Sequence, residues 1–382
     1  MRIAMVLDSW DDQANGAVVS TRRFTDWLRA RGHLVSVVAN AAPGPGIVPL
    51  ASMHVPVFDG IMRRMKFRFA KPDRAVLARV LAEHDLLHIQ FPFPLGVRAV
   101  RMARAAGVAT VASFHVQGEH MLYNVGIRNE WVVSQMYRLF LRTVYDRADR
   151  VLCPSEFTAR ELSRHGLRAP AVVISNGVTD AFRPIPAGSG PSFDGRVMII
   201  SVGRLAAEKR HDLLIEAVRR SRHATRIQLV ILGAGPRRQE LERLGATLPN
   251  PIVFGFLPTE QLVPYYAAAA LCVHASEVEV EGMAALEALA CGTPCLVADS
   301  PKSATPQFAI DERYLFTSGS RESLVARLDA LLDDPATLHA DRTRALALAS
   351  RFSFEESARR LEALYADVLL QPRRVPPTRS PS

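Results

Sequence analysis

Short apolar runs alternate with amphipathic segments of helical period along almost the whole chain, and the alternation breaks once. It opens with a strand predicted at 2–7, a polar loop containing Gly16, a helix over 18–31 stopped by Gly32, and a strand at 34–38. Further strands are predicted at 86–89, 109–113, 150–153 and 171–174. Strands that alternate with helices are joined by crossovers, which makes a parallel sheet covered on both faces. The break is Arg183-Pro-Ile-Pro-Ala-Gly-Ser-Gly-Pro-Ser-Phe-Asp-Gly195, rich in proline, glycine and serine and without periodicity, so a linker is expected over 185–195. A second series follows, with strands at 197–202, 228–232, 252–254, 271–274 and 294–297 and helices over about 211–221 and 282–290. The expected fold class is α/β, with doubly wound domains over 1–184 and 196–352. A last helix is expected over 353–370, ahead of a disordered tail over 371–382.

The 382 residues, 48% hydrophobic and 22% charged, are enough for one core in each half and exclude a disordered chain. Four cysteines without a Cys-x-x-Cys exclude a disulfide scaffold and read as reduced, buried thiols of a cytosolic protein. Asp8 interrupts the first apolar run before a signal-peptide core is complete, and the apolar stretch 265–275 is too short to span a bilayer and contains His274. The chain is expected to touch a membrane at most.

Charge is divided unevenly. Residues 1–185 hold 24 Lys+Arg against 15 Asp+Glu, and residues 186–382 hold 23 against 23, so the whole net +9 lies in the first half. A basic half beside a neutral one suggests a polyanionic partner. The densest run is 61–74, where six cations face one anion. Arg63, Arg64, Lys66, Arg68 and Lys71 are interleaved there with Phe67 and Phe69. That composition suits a segment lying on an anionic membrane. It also occurs in nucleic-acid-binding stretches and on solvated helix faces. No recognition-helix or zinc-ligand pattern accompanies it, so no nucleic-acid partner is expected.

Three stretches carry chemistry. The loop from Asp8 to Ala17 precedes a helix, and Gly16 lets amides at that helix start approach an anion, although the Gly-x-Gly-x-x-Gly of a dinucleotide site is missing. Ser201-Val-Gly-Arg204-Leu-Ala-Ala-Glu-Lys209 follows a strand, which puts two cations at the carboxyl edge of the second sheet, where open α/β sheets bind ligands. Arg204 offers a planar fork to phosphate oxygens and Lys209 a point charge. The competing reading is a surface arginine beside a Glu208–Lys209 pair. The third stretch, Glu279-Val-Glu-Gly-Met-Ala-Ala-Leu-Glu287, runs an acidic cluster into a helix. Glu279 is placed to accept from sugar hydroxyls and Glu287 to hold the vicinal hydroxyls of a ribose, while the amides of Gly282, Met283 and Ala284 face the phosphates between them. Acids that favour a helix N-terminus would equally explain Glu279 and Glu281, but not Glu287 within an apolar helix. A P-loop is excluded by the lack of Gly-Lys-[Ser/Thr], and a dehydrogenase by the missing third glycine in Gly233-Ala-Gly235-Pro-Arg-Arg238.

In order and spacing, these stretches resemble the retaining glycosyltransferases of the GT-B fold, family 4. The shared features are Asn15-Gly16, Gly32-His33, Ala148-Asp149 with Pro154-Ser155, Asn176-Gly177-Val178, Gly203-Arg204 with Glu208-Lys209, Gly233-Ala-Gly235-Pro236 and the Glu279/Glu287 pair. The resemblance implies two Rossmann-like domains facing a cleft, a nucleotide sugar on the C-terminal one, and a last helix that crosses back. It implies Arg204 and Lys209 on the diphosphate, Glu287 on the ribose and Glu279 on the sugar, with Gly16, Gly203, Gly235 and Phe254 completing the donor site. His115, in Ser113-Phe-His115, matches the family histidine beside the reaction centre. Transfer would retain anomeric configuration, and without an Asp-x-Asp no metal or other cofactor is expected.

Two departures stand out: Asn15-Gly16-Ala17 replaces a Gly-Gly pair, and Val280-Glu281-Gly282 replaces Gly-Phe-Gly, leaving Glu277 and Glu281 as alternatives to Glu279. The run His88-Ile-Gln-Phe-Pro-Phe-Pro-Leu-Gly96 is similar to the branch that glycosylates membrane lipids such as diacylglycerol. The expectation is therefore a cytoplasmic enzyme peripheral on the inner face of the cytoplasmic membrane, transferring a hexose from a UDP-sugar to a lipid or lipid-linked acceptor. The alternatives are a soluble family member making polysaccharide or small glycosides, and a GT-B nucleotide-sugar epimerase.

Overall fold

The structure, a computed structural model, describes residues 1–12, 15–53, 68–123, 126–186 and 188–371. The chain forms two units. Met1–Ser175 and the chain from Ser357 onward make the first, and Asn176–Glu356 the second.

The first unit holds a seven-stranded sheet in the order Ile47–Pro49, Leu34–Asn40, Arg2–Ser9, Leu86–Ile89, Ala109–Ser113, Arg150–Cys153 and Ala171–Val173, with every pairing parallel. The chain starts mid-sheet, steps outward twice, and returns to the other side of its first strand at Leu86. The strand predicted to stop before Asp8 continues through Ser9, and all of it after Arg2 is buried, as a strand covered on both faces requires. The final helix, Phe354–Leu370, buries Leu361, Leu364, Tyr365 and Val368 at helical spacing in this unit. Its Tyr365 hydroxyl bonds His88 Nδ1 at 2.5 Å, while His88 Nε2 meets Ser113 Oγ at 2.7 Å. Glu362 of the same helix accepts from Arg31 at 3.0 Å and bonds His33 at 2.7 Å.

In the second unit six parallel strands run Val253–Gly255, Ile227–Leu232, Val197–Val202, Leu271–His274, Cys295–Asp299 and Leu315–Thr317. Two apolar clusters cover its faces, and residues take sides by parity. Ile199, Leu229, Ile231, Val273 and Leu296 join one, and Met198, Ile200, Val230, Cys272 and Val297 the other. All four cysteines are free and buried.

The proline- and glycine-rich stretch does not divide the units. The division falls between Ser175 and Asn176, and residues 185–195 belong to the second unit, where Ile185 and Phe193 pack on the core. Prolines and glycines there mark irregular backbone rather than a lack of packing.

Arg63, Arg64, Lys66 and Phe67 of the expected membrane segment lie outside the described residues. Arg68 and Lys71 are exposed, but Phe69 is not available to a bilayer. It sits in a short strand, Phe69–Ala70, antiparallel to Ser52–Met53, and its ring meets Phe93 edge-on at 5.1 Å. Among the described residues no helix is long and apolar enough to cross a membrane.

Candidate active site

In the second unit the chain reverses its direction of travel across the sheet between Val197–Val202 and Leu271–His274. In an open α/β sheet the crevice at the carboxyl ends of two such strands is the ligand site. The loops leaving those strands carry the predicted residues and are sewn together: the Glu277 amide donates to the Glu208 carbonyl at 2.9 Å, and Ser276 Oγ to the same oxygen at 3.2 Å.

Charge is concentrated at this seam. Arg204 Nη2 bonds Glu208 Oε1 at 3.0 Å, with the Glu208 side chain fully buried. Lys209 Nζ forms an ion pair with Glu279, whose Oε1 is also 2.9 Å from His274 Nε2. Burial works against the Glu279 charge, but Lys209 and His274 outweigh it and hold the carboxyl well below the usual glutamate range. Glu279 is therefore an ionised hydrogen-bond acceptor at neutral pH. The other two acids are committed elsewhere. Glu277 pairs with Arg210, and buried Glu281 accepts the Asn176 backbone amide at 3.1 Å and is bonded by its side chain. Glu279 is the acid held between Lys209 and His274.

The helix Met283–Ala290 starts beside this cluster. Gly282 precedes it with a φ of +96°, and a Cβ there would fall 2.3 Å from Thr305 Cγ2, so only glycine fits. No side chain caps this helix and the Ala285 amide bonds back to the Gly282 carbonyl at 3.0 Å, so the amides that point out of the helix start toward an anion are those of Met283 and Ala284. Met283, Ala284 and Glu287 are the partly exposed positions of an otherwise buried helix, and their spacing places them on one face. Phe254 lies on the edge strand Val253–Gly255, where the Arg238 guanidinium covers its ring at 4.5 Å. Among the described residues no cluster of His, Cys, Asp or Glu has the arrangement of a metal site.

In the first unit, Gly16 opens the helix Gly16–Ala30, and Asn15 caps it by accepting from the Ala17 amide at 3.0 Å. His115 follows the strand Ala109–Ser113, and its Nε2 meets Gln90 Oε1 at 3.0 Å. Burial lowers His115 to about 4, so it is a neutral imidazole at pH 7.

Residues 14–182 match the Glycosyltransferase Family 4 model, and residues 187–346 match Glycosyl transferases group 1. A GDP-mannose-dependent alpha-mannosyltransferase of Mycolicibacterium smegmatis is 32% identical over 319 residues, covering 78% of this chain and 80% of that protein. The chain belongs to the family 4 glycosyltransferases. An alpha-monoglucosyldiacylglycerol synthase of Streptococcus pneumoniae is also similar to this glycosyltransferase, at 26% identity over 322 residues, 79% of this chain and 72% of that protein. Among solved structures, sucrose-phosphate synthase from Thermosynechococcus elongatus matches with a TM-score of 0.76 at 19% identity, over 96% of this chain and 99% of that one, which shows the GT-B fold.

Sequence reasoning missed His274 and the burial of Glu208 in this glycosyltransferase. His274 ends the apolar run Leu-Cys-Val-His, and its position at a strand's carboxyl end was the one available signal. The glycines at 233 and 235 turn out to be packing requirements. A Cβ on Gly233 would fall 1.8 Å from the Gly203 carbonyl oxygen, and one on Gly235 2.4 Å from that of Leu205. Gly233→Ala is expected to push the Arg204 loop aside, lowering stability by about 1–3 kcal/mol and weakening nucleotide binding. Thermal denaturation with and without GDP reads both effects, and an unchanged melting profile would contradict the packing argument.

Proposed function

We propose that this glycosyltransferase transfers a hexosyl group, with retention, from a nucleoside diphosphate sugar to a membrane lipid. The observation that carries the donor half is the convergence in the second unit of Arg204, Lys209, ionised Glu279 and an uncapped helix start, with Glu287 one turn further along. Arg204, Lys209 and the amides of Met283 and Ala284 neutralise the diphosphate. Glu279 accepts from the sugar hydroxyls and Glu287 from the ribose. In the reaction the acceptor oxygen bonds the anomeric carbon, the bond from that carbon to the diphosphate oxygen breaks, and the acceptor proton passes to the departing diphosphate. The two cations act as that charge develops, which is where preorganised groups contribute most.

The M. smegmatis relative's name favours GDP-mannose over the UDP-sugar expected from sequence. An α-linked product from an α-linked donor is retention. The diacylglycerol synthase relative and the basic first half support a lipid acceptor in an anionic bilayer.

The test is transfer from GDP-mannose, UDP-glucose and ADP-glucose to a membrane lipid extract in the presence of EDTA, read by mass spectrometry of the lipid fraction. A hexosylated lipid from GDP-mannose, at an EDTA-independent rate, is the expected result. Turnover with a soluble sugar acceptor and none with lipid would overturn the acceptor assignment.

A further inference from the structure

The helix Glu130–Thr143 of the first unit has a complete inner face. Val133, Tyr137, Phe140 and Leu141 are buried, Tyr137 stacks on His165 at 4.1 Å, and its hydroxyl donates to Glu119 at 3.0 Å. A helix so packed needs only polar side chains outside. Instead Trp131 is 70% exposed and Leu139 54%, with Ile127 exposed just ahead of the helix. Helical spacing puts Trp131, Arg138, Leu139 and Arg142 on one side, and both arginines are exposed. Glu130, the one acid of the helix, stands about 100° round from Trp131.

Large apolar groups flanked by cations, with a tryptophan among them, suit the boundary between lipid headgroups and acyl chains. Water gives no reason for them, and an acid-free basic face on the half that holds all the net positive charge favours an anionic surface. We propose that Ile127, Trp131 and Leu139, with Arg138 and Arg142, form the surface by which the first unit lies on an anionic bilayer. This deepens the reading of a membrane-lipid acceptor and rests on it, but uses none of residues 61–74.

Trp131 reports directly on the contact. The other two tryptophans are shielded: Trp10 is buried, and half-buried Trp27 is covered by the Arg31 guanidinium at 5.0 Å. Vesicles of phosphatidylglycerol and phosphatidylcholine carrying brominated acyl chains should quench the fluorescence, and Trp131→Phe should abolish the quenching. The double variant Trp131→Ser/Leu139→Ser should bind these vesicles roughly tenfold more weakly. It should melt as the wild type does and transfer normally to a short-chain, water-soluble acceptor. Vesicle binding without quenching would overturn this surface while leaving the membrane reading intact. No vesicle binding would overturn both. Self-association abolished by the double variant, again without quenching, would make the face an interface between copies of this chain.

Discussion

Arg204→Ala is expected to lower turnover about 10²–10³-fold, the loss seen when one preorganised donor is removed from a developing oxyanion. The same change also removes a charged hydrogen bond to the fully buried Glu208 side chain, and should cost about 1.5–3 kcal/mol of stability in the second unit. These effects separate in the double variant Arg204→Ala/Glu208→Gln. Neutralising the buried carboxylate should restore much of the stability, while turnover stays low because the diphosphate still lacks its arginine. Steady-state kinetics and thermal denaturation on the two variants decide the matter. A single variant within about threefold of wild-type turnover would remove Arg204 from the donor site. Recovery of turnover in the double variant would reduce its role to holding the loop.

The second large effect lies in the first unit and concerns stability. Asp8 is 1% exposed, and its carboxylate oxygen accepts the Ala70 amide at 3.2 Å. Burial pushes this carboxyl from an ordinary 3.8 up to about 8, the Ala70 bond opposing only part of the rise. The folded state therefore holds a proton that the unfolded state releases above about 4. A raised pKa contributes stability that is present below the unfolded value and is lost as pH climbs through the folded one. The shift is about four units at about 1.4 kcal/mol each, so up to about 6 kcal/mol disappears between pH 4 and pH 8. Asp8→Asn keeps an oxygen for the Ala70 amide and cannot ionise. It should match the wild type near pH 4 and melt several degrees higher near pH 8.5. Parallel pH profiles for the two proteins would show that Asp8 is ionised in the folded state.

Strand placement was legible because every central strand is a short apolar run bounded by a turn. Leu86–Ile89, Ala109–Ser113, Arg150–Cys153, Val197–Val202 and Leu271–His274 begin and end where the pattern predicts. Ile47–Pro49, Ser52–Met53, Phe69–Ala70 and Leu315–Thr317 are too short for a period to register; Ile47–Pro49 pairs with the strand just before it, and the other three with strands further off in sequence. Asp8 shows the limit of local pattern. An acid after an apolar run reads as a strand end, yet the sheet carries it two residues deeper and buries it. At the candidate site the sequence offered Arg204, Lys209, Glu279 and Glu287 by type and spacing and put Glu279 ahead of Glu277 and Glu281, but did not show the partner that each acid takes. Three acids in five residues look alike until Arg210, His274 and Asn176 each select one.

The most direct test of the account is calorimetric titration of GDP and UDP into the wild type, Arg204→Ala and Glu287→Ala. If the crevice between Gly203 and Glu287 holds a nucleoside diphosphate, GDP binds the wild type. Each variant, having lost a charged hydrogen bond, then binds roughly tenfold or more weakly. If both variants bind as the wild type does, or the wild type binds neither nucleotide, the donor site lies elsewhere and the assignment of the second unit fails.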